Sequence, residues 1–206
     1  MTDVEKVREG VRVRLEPEES ALLRALMEQM LALIGEASGT DDELAALGIA
    51  DNAETPDDPV LARLFPDAYR DDGEAAGEFR RYTEMGLRDG KREAARMVLS
   101  ALAGDEAEGE AEGGDGGEGA DGGEGADGGE AGQDGIVLDE KQAQGWLRAL
   151  NDVRLALGTR LDITEDWYEE AHRMDPRDPR ASLFAVYDWL TMLQESLVQV
   201  LWEPLP

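Results

Sequence analysis

GDEAEGEAEGGDGGEGADGGEGADGGEAGQDG, residues 104–135, divides this chain in two. The run holds twelve carboxylates and fourteen Gly, with no Lys or Arg and no branched aliphatic or aromatic side chain. So little apolar surface does not offset the backbone entropy of ordering, about 1–2 kcal/mol per residue. The composition predicts a disordered, self-repelling acidic linker over 104–135. Residues 1–103 and 136–206 then read as the first and second arms of a single α-rich domain.

The arms carry matching signals. Val11-Arg12-Val13-Arg14-Leu15 alternates apolar and basic, the period of a half-buried strand, and Ile136-Val137-Leu138 reads as a second short strand. Each is followed by an acidic residue and a helix containing Leu-Arg-Ala-Leu, at Leu23–Leu26 and Leu147–Leu150. Pairing these strands across the linker gives a mainly α fold with a small two-stranded sheet, whose one face helices must cover.

Within the first arm, Glu16-Pro17 opens a helix whose Leu22, Leu23, Leu26, Met30, Leu33 and Ile34 share a face. A short helix is expected from Thr40 through Leu47, another over Val60–Phe65, and a further turn at Pro66–Tyr69. Asp71-Asp72 caps a long helix from about Glu74 to Leu102, with Phe79, Tyr82, Leu87, Val98 and Leu102 as its expected core positions. In the second arm, Asp139 caps a helix carrying Trp146, Leu150, Val153 and Leu157, ended by Gly158. Thr164–Arg173 forms a short helix. Asp178-Pro179 opens the last one, with Leu183, Val186, Leu190, Leu193, Leu197 and Leu201.

Charge and composition narrow the function classes. The net charge is −28, so the average field repels nucleic acid and anionic membranes. The expected partners are proteins bearing basic patches. With no Cys, disulfides, thiolate metal sites and thiol switches are excluded. Met1 to Gly10 has no apolar stretch of a signal peptide, and no apolar run approaches the roughly 20 residues of a membrane span. A cytoplasmic location is expected.

Few constellations carry chemistry. The three tandem hexads Gly113–Glu118, Gly119–Glu124 and Gly125–Glu130 lack the apolar residue of a calcium-binding repeat roll and the pattern of an EF-hand. His172 is the only His, and no ligand set converges on it in the sequence. No nucleophile–His pair or phosphate-binding Gly loop is present. The reading is a non-enzyme without metal or cofactor. Its rivals are a hydrolase or transferase whose carboxylates meet only in the fold, and an acidic mimic of nucleic-acid charge.

Arg88, Arg92 and Arg96 lie four apart in a basic stretch that begins at Arg80. It reads either as a stripe for an acidic partner or as a solvated face paired with Glu84, Asp89 and Glu93; the absence of interleaved aromatics favours the second. In the second arm, Asn151, Asp152, Arg154 and Arg160 interrupt an apolar segment, and Tyr187, Asp188, Trp189, Gln194 and Glu195 do so in the last helix. They read as an Arg–carboxylate network between two helices. Otherwise Arg154, Arg160, Tyr187, Trp189 and Gln194 line a partner groove, where Trp, Tyr and Arg are the usual anchors.

Four segments, in order, carry a family likeness: GVRVRLEPEE from Gly10, LFPDAYRDD from Leu64, WLRALNDVRLALGTRL from Trp146 and VYDWLTMLQESLV from Val186. Together they resemble the actinobacterial domain-of-unknown-function family that includes the oxidative-stress regulator AosR, with genes commonly beside that of the Clp adaptor ClpS. The likeness covers most of both arms and spares the acidic run. It implies a small cytoplasmic regulator acting through protein contacts, with a partner in the transcription or proteolysis machinery. Thiol sensing does not carry over, because this chain has no Cys.

Overall fold

The computed structural model describes residues 2–35, 56–69, 71–112, 135–175 and 177–202. The expected helix from Thr40 to Leu47 lies outside them, as does the acidic run from Gly113 to Asp134 with its expected disorder.

The chain begins with a hairpin, strand β1 over Asp3–Val7 and strand β2 over Gly10–Arg14. β1 was not expected. Its register sets Asp3 opposite Arg14 and Glu5 opposite Arg12. Arg14 donates to Asp3 and Glu5 at 2.8 Å each, and Arg12 donates to Glu5 at 3.0 Å. The Arg12 guanidinium, with Arg14 beside it, holds the Glu5 carboxyl below its ordinary range. The paired charges add to the backbone ladder and to Val4, which packs against the core, in a segment whose composition hides a strand.

Strand β3, Ile136–Leu138, joins the far edge of β2 antiparallel, with Val11 opposite Leu138 and Val13 opposite Ile136. The strands of the two arms therefore pair, and the sheet has three strands in the order β1-β2-β3 rather than two. Gly10 permits the close approach at this corner. Its φ is +146°, and a Cβ there would lie 1.9 Å from the carbonyl oxygen of Leu138. Val11, Val13, Ile136 and Leu138 are buried on the helix-facing side.

Six helices make up the rest of the described residues: α1, Pro17–Ile34; α2, Pro59–Leu64; α3, Gly73–Glu112; α4, Glu140–Arg160; α5, Trp167–Arg173; and α6, Ala181–Trp202. The protein is mainly α, with a small antiparallel sheet. Asp58, Asp72 and Asp139 cap α2, α3 and α4 by accepting from backbone N–H groups two or three residues on. Gln142 returns a bond to the Asp139 backbone and completes a capping box.

α4 is the central strut, packed against α2, α3 and α6. Its buried face is Ala143, Gly145, Trp146, Ala149, Leu150 and Val153. Both arms supply one apolar cluster around it, including Leu23 and Met27 of α1, Val98 and Leu102 of α3, and Leu190, Leu193 and Leu197 of α6.

Several boundaries differ from expectation. α3 continues through Glu112, nine residues into the acidic run. Pro66–Tyr69 is not helical. α4 passes through Gly158 to Arg160, and Asp162 instead takes the left-handed conformation, with φ 54°. Phe79, Tyr82 and Leu87, expected in the core, are 46%, 61% and 51% exposed, whereas Val98 and Leu102 are buried as expected. The inward positions of that first half of α3 belong to Ala76 and Arg80.

Candidate functional site

The basic stretch of α3 faces inward over much of its length, and backbone carbonyls explain why. A helix ends with carbonyls that have no partner inside it. α1 ends at Ile34 and α2 at Leu64, and neither α1 nor its cap supplies a basic side chain there. Arg88 donates to the Ile34 carbonyl at 2.6 Å, Arg92 to that of Gly35 at 2.9 Å and Arg80 to that of Phe65 at 3.0 Å. Positive charge at a helix C-terminus also opposes the macrodipole favourably. Glu84 lies between two of these guanidiniums, accepting from Arg80 and Arg88 at 2.7 Å, and Asp67 accepts from Arg80 at 2.6 Å. Arg92 also pairs with Asp89. The pairing with Glu84 and Asp89 follows the second sequence reading, but the face is not a solvated one: Arg80, Arg88 and Arg92 clamp helix ends inside the fold, while Arg81 and Arg96 are exposed.

Next to this clamp, Lys91 reaches from α3 to Asp152 on α4 at 2.6 Å. Burial pushes the Asp152 carboxyl up, and the hydrogen bond from Lys91 pulls it back. Asp152 therefore ties α4 to α3 and not to α6.

The seam between α4 and α6 holds three of the five candidate residues. Arg154 donates to the side-chain oxygen of Gln194 at 2.8 Å, and its guanidinium lies 5.4 Å from the centroid of the Tyr187 ring. An amide and a ring take the place of the expected carboxylates. Gly158 lets the Tyr187 ring close in, since a Cβ there would meet it at 3.3 Å. Trp189 is set apart. Its indole N–H donates to the Thr2 hydroxyl at 3.0 Å, pinning α6 to the N-terminal segment. Arg160 is exposed at the end of α4 and does not join the group.

Beyond Tyr187 lies a cluster that the sequence reading passed over. After the turn at Asp162, α5 places Trp167 5.1 Å from Tyr187, 5.7 Å from Tyr168 and 6.4 Å from Phe184, centroid to centroid. The first two contacts are edge-to-face, at 79° and 87°. Asp178 turns the chain back into α6 by accepting from the backbone N–H of Arg180, at 2.8 Å, which holds its carboxyl below the ordinary range. Between α5 and α6 opens a groove of about 250 Å³. Trp167, Tyr168, Phe184 and Asp188 line it, with Ala171, Ala181 and Ala185 keeping it open. Glu165, Asp166 and Glu169 are exposed along the α5 side. The visible signal was the Trp-Tyr pair inside an acidic segment, with Phe184 and Tyr187 one helical turn apart.

Among the described residues, no group of three or more His, Cys, Asp or Glu is arranged to hold a metal, and no helix is long and apolar enough to cross a membrane. Fold and surface together define an α-rich protein with a small sheet, an internal arginine clamp and an acidic aromatic groove. The chain belongs to the family described as domain of unknown function (DUF2017), whose model matches residues 1–201. It is similar to the oxidative stress regulator AosR of Mycobacterium tuberculosis (strain ATCC 25618 / H37Rv), 34% identical over 215 aligned positions that cover 95% of this chain and 85% of that protein. It is also similar to the putative oxidative stress regulator AosR of Mycobacterium leprae (strain TN), 35% identical over 202 positions that cover 90% and 79%. No solved structure matches.

Proposed function

We propose that this chain is a non-enzymatic regulatory protein that works in the cytoplasm through protein contacts, in stress-responsive control of transcription. The observation that carries the reading is the 34% identity, across 95% of the chain, to proteins named oxidative stress regulators. The partner is a protein of the transcription or proteolysis machinery, and a net charge of −28 argues against direct contact with nucleic acid. With no Cys, the trigger is not a thiol of this chain. It arrives through the partner or through the amount of protein made.

Deletion of the gene tests this. Transcripts are measured before and after hydrogen peroxide in the parent, the deletion strain and the complemented strain. The expected result is a set of peroxide-responsive transcripts altered by deletion and restored by complementation. An identical response in all three strains would remove the proposal.

A further inference from the structure

The groove between α5 and α6 has the chemistry of a cation receptor. Two of its walls, Trp167 and Tyr168, meet edge-to-face at 87°, so the planes of the lining rings lie nearly at right angles. A ring face attracts a cation by its quadrupole, most strongly when water is partly excluded. The alanines leave room for an aliphatic stem beneath it. Asp188 adds a formal negative charge to the lining, and it makes no ion pair among the described residues. The same ring cluster already takes one cation from this chain, since Arg154 lies over Tyr187. Glu165 and Asp166, exposed just before α5, and the net charge of −28 bias the approach toward a basic ligand, although Glu169 is already paired with Arg173.

We infer that this groove receives an arginine or lysine side chain of a protein partner, with the cation against the Trp167 and Tyr168 rings and paired with Asp188. The inference rests on the reading of the chain as a regulator that acts through protein contacts, and it supplies that reading with a surface and a partner chemistry. A purely apolar occupant would leave the Asp188 charge in the lining without a counterion, at a desolvation cost. A second copy of this chain would bring a like-charged surface.

The test uses the full chain, labelled with nitrogen-15, titrated with acetyl-Gly-Arg-Gly-amide and with counterparts that carry lysine, citrulline or norleucine instead of arginine. The indole N–H signal of Trp167, assigned through Trp167→Phe, is the reporter. Saturable shifts are expected with arginine and lysine, and affinities about fivefold weaker with the two neutral side chains. Asp188→Asn should lower arginine affinity by a similar factor and leave norleucine unchanged, with helicity preserved by circular dichroism. Tyr168→Ser, at an exposed ring, should weaken all four peptides.

Equal binding of norleucine and arginine would overturn the inference in favour of a plain apolar groove. So would an unmoved Trp167 signal with every peptide, or concentration-dependent self-association that Tyr168→Ser abolishes. If Asp188→Asn loses the arginine peptide yet restores the peroxide response fully, the groove is not the regulatory surface, and the regulatory reading stands without it. If the peptides bind as expected but deletion leaves the peroxide response untouched, the regulatory reading falls and the receptor remains.

Discussion

The two halves of α3 bury opposite kinds of side chain. Its second half turns Ala94, Ala95, Val98 and Leu102 into the apolar cluster. Its first half turns Arg80 inward, 5% exposed, and leaves Phe79, Tyr82 and Leu87 in solvent. What lies opposite each half accounts for the difference. The second half packs against the apolar face of α4, where burial is favourable at roughly 25 cal/mol per Å². The first half faces the closing turns of α1 and α2, which offer carbonyl oxygens. A carbonyl buried without a donor costs about 1–3 kcal/mol, so donors outrank apolar side chains there. Amphipathicity alone does not say which stripe of a helix faces in when the neighbour is a helix end.

The largest effect that would sharpen this contrast is at Arg80. Arg80→Met keeps much of the volume but strands the Phe65 carbonyl and removes the shared cation of Asp67 and Glu84. It should lower unfolding stability by about 4 kcal/mol, read from the urea midpoint. In the apolar half, Leu102→Ala should cost about 3 kcal/mol through lost burial and a cavity. Salt separates the two. Raising ionic strength should shrink the Arg80→Met penalty modestly, through the partly exposed Asp67, and leave that of Leu102→Ala nearly unchanged. Equal salt dependence would break the comparison.

Lys91→Met should cost about 2 kcal/mol, because Asp152 is buried but Lys91 is partly in solvent. The pair also has a pH signature. Burial raises the Asp152 carboxyl in the folded state, so its contribution is most favourable below the unfolded-state value and is lost as pH rises through the folded one. The stability of the parent relative to Asp152→Asn should therefore decline as pH climbs upward from the ordinary aspartate range. With Lys91→Met in the background the decline should steepen, since the group that opposes the rise is gone. A flat difference across that range would show that Asp152 titrates as if in water.

Much of the helical fold was legible because its drivers are local. Asp139, with Gln142 three residues on, announces the start of α4, and Leu190, Leu193 and Leu197 repeat at the helical period. β2 could be read because its apolar residues alternate and β3 because it is a short branched apolar run, and the structure joins them across the acidic run. β1 could not, since only two of its five residues are apolar and its partners, the β2 backbone, Arg12, Arg14 and the core under Val4, lie elsewhere in the chain. The extension of α3 to Glu112 was hidden by composition, because Gly104 and Gly109 read as linker. At the candidate site, Arg154, Tyr187 and Gln194 do meet, but Trp167 and Tyr168 come from one helix and Phe184 from another, and their meeting depends on the turns at Asp162 and Asp178. Such a juxtaposition is a tertiary property that no single-segment period carries.

The smallest expected effect is the most direct check on the reversed half of α3. If the first half truly exposes its aromatic residues, Tyr82→Ser should change unfolding stability by less than about 0.5 kcal/mol, the usual range for a surface position. Phe79→Ser should cost slightly more, since Phe79 meets Tyr69 edge-to-face at 6.1 Å. Both values come from urea unfolding alongside Leu102→Ala as the buried reference. A loss at Tyr82 approaching that of Leu102 would mean that the ring is covered in solution, and that apolar periodicity, not the carbonyls of α1 and α2, orients this helix throughout.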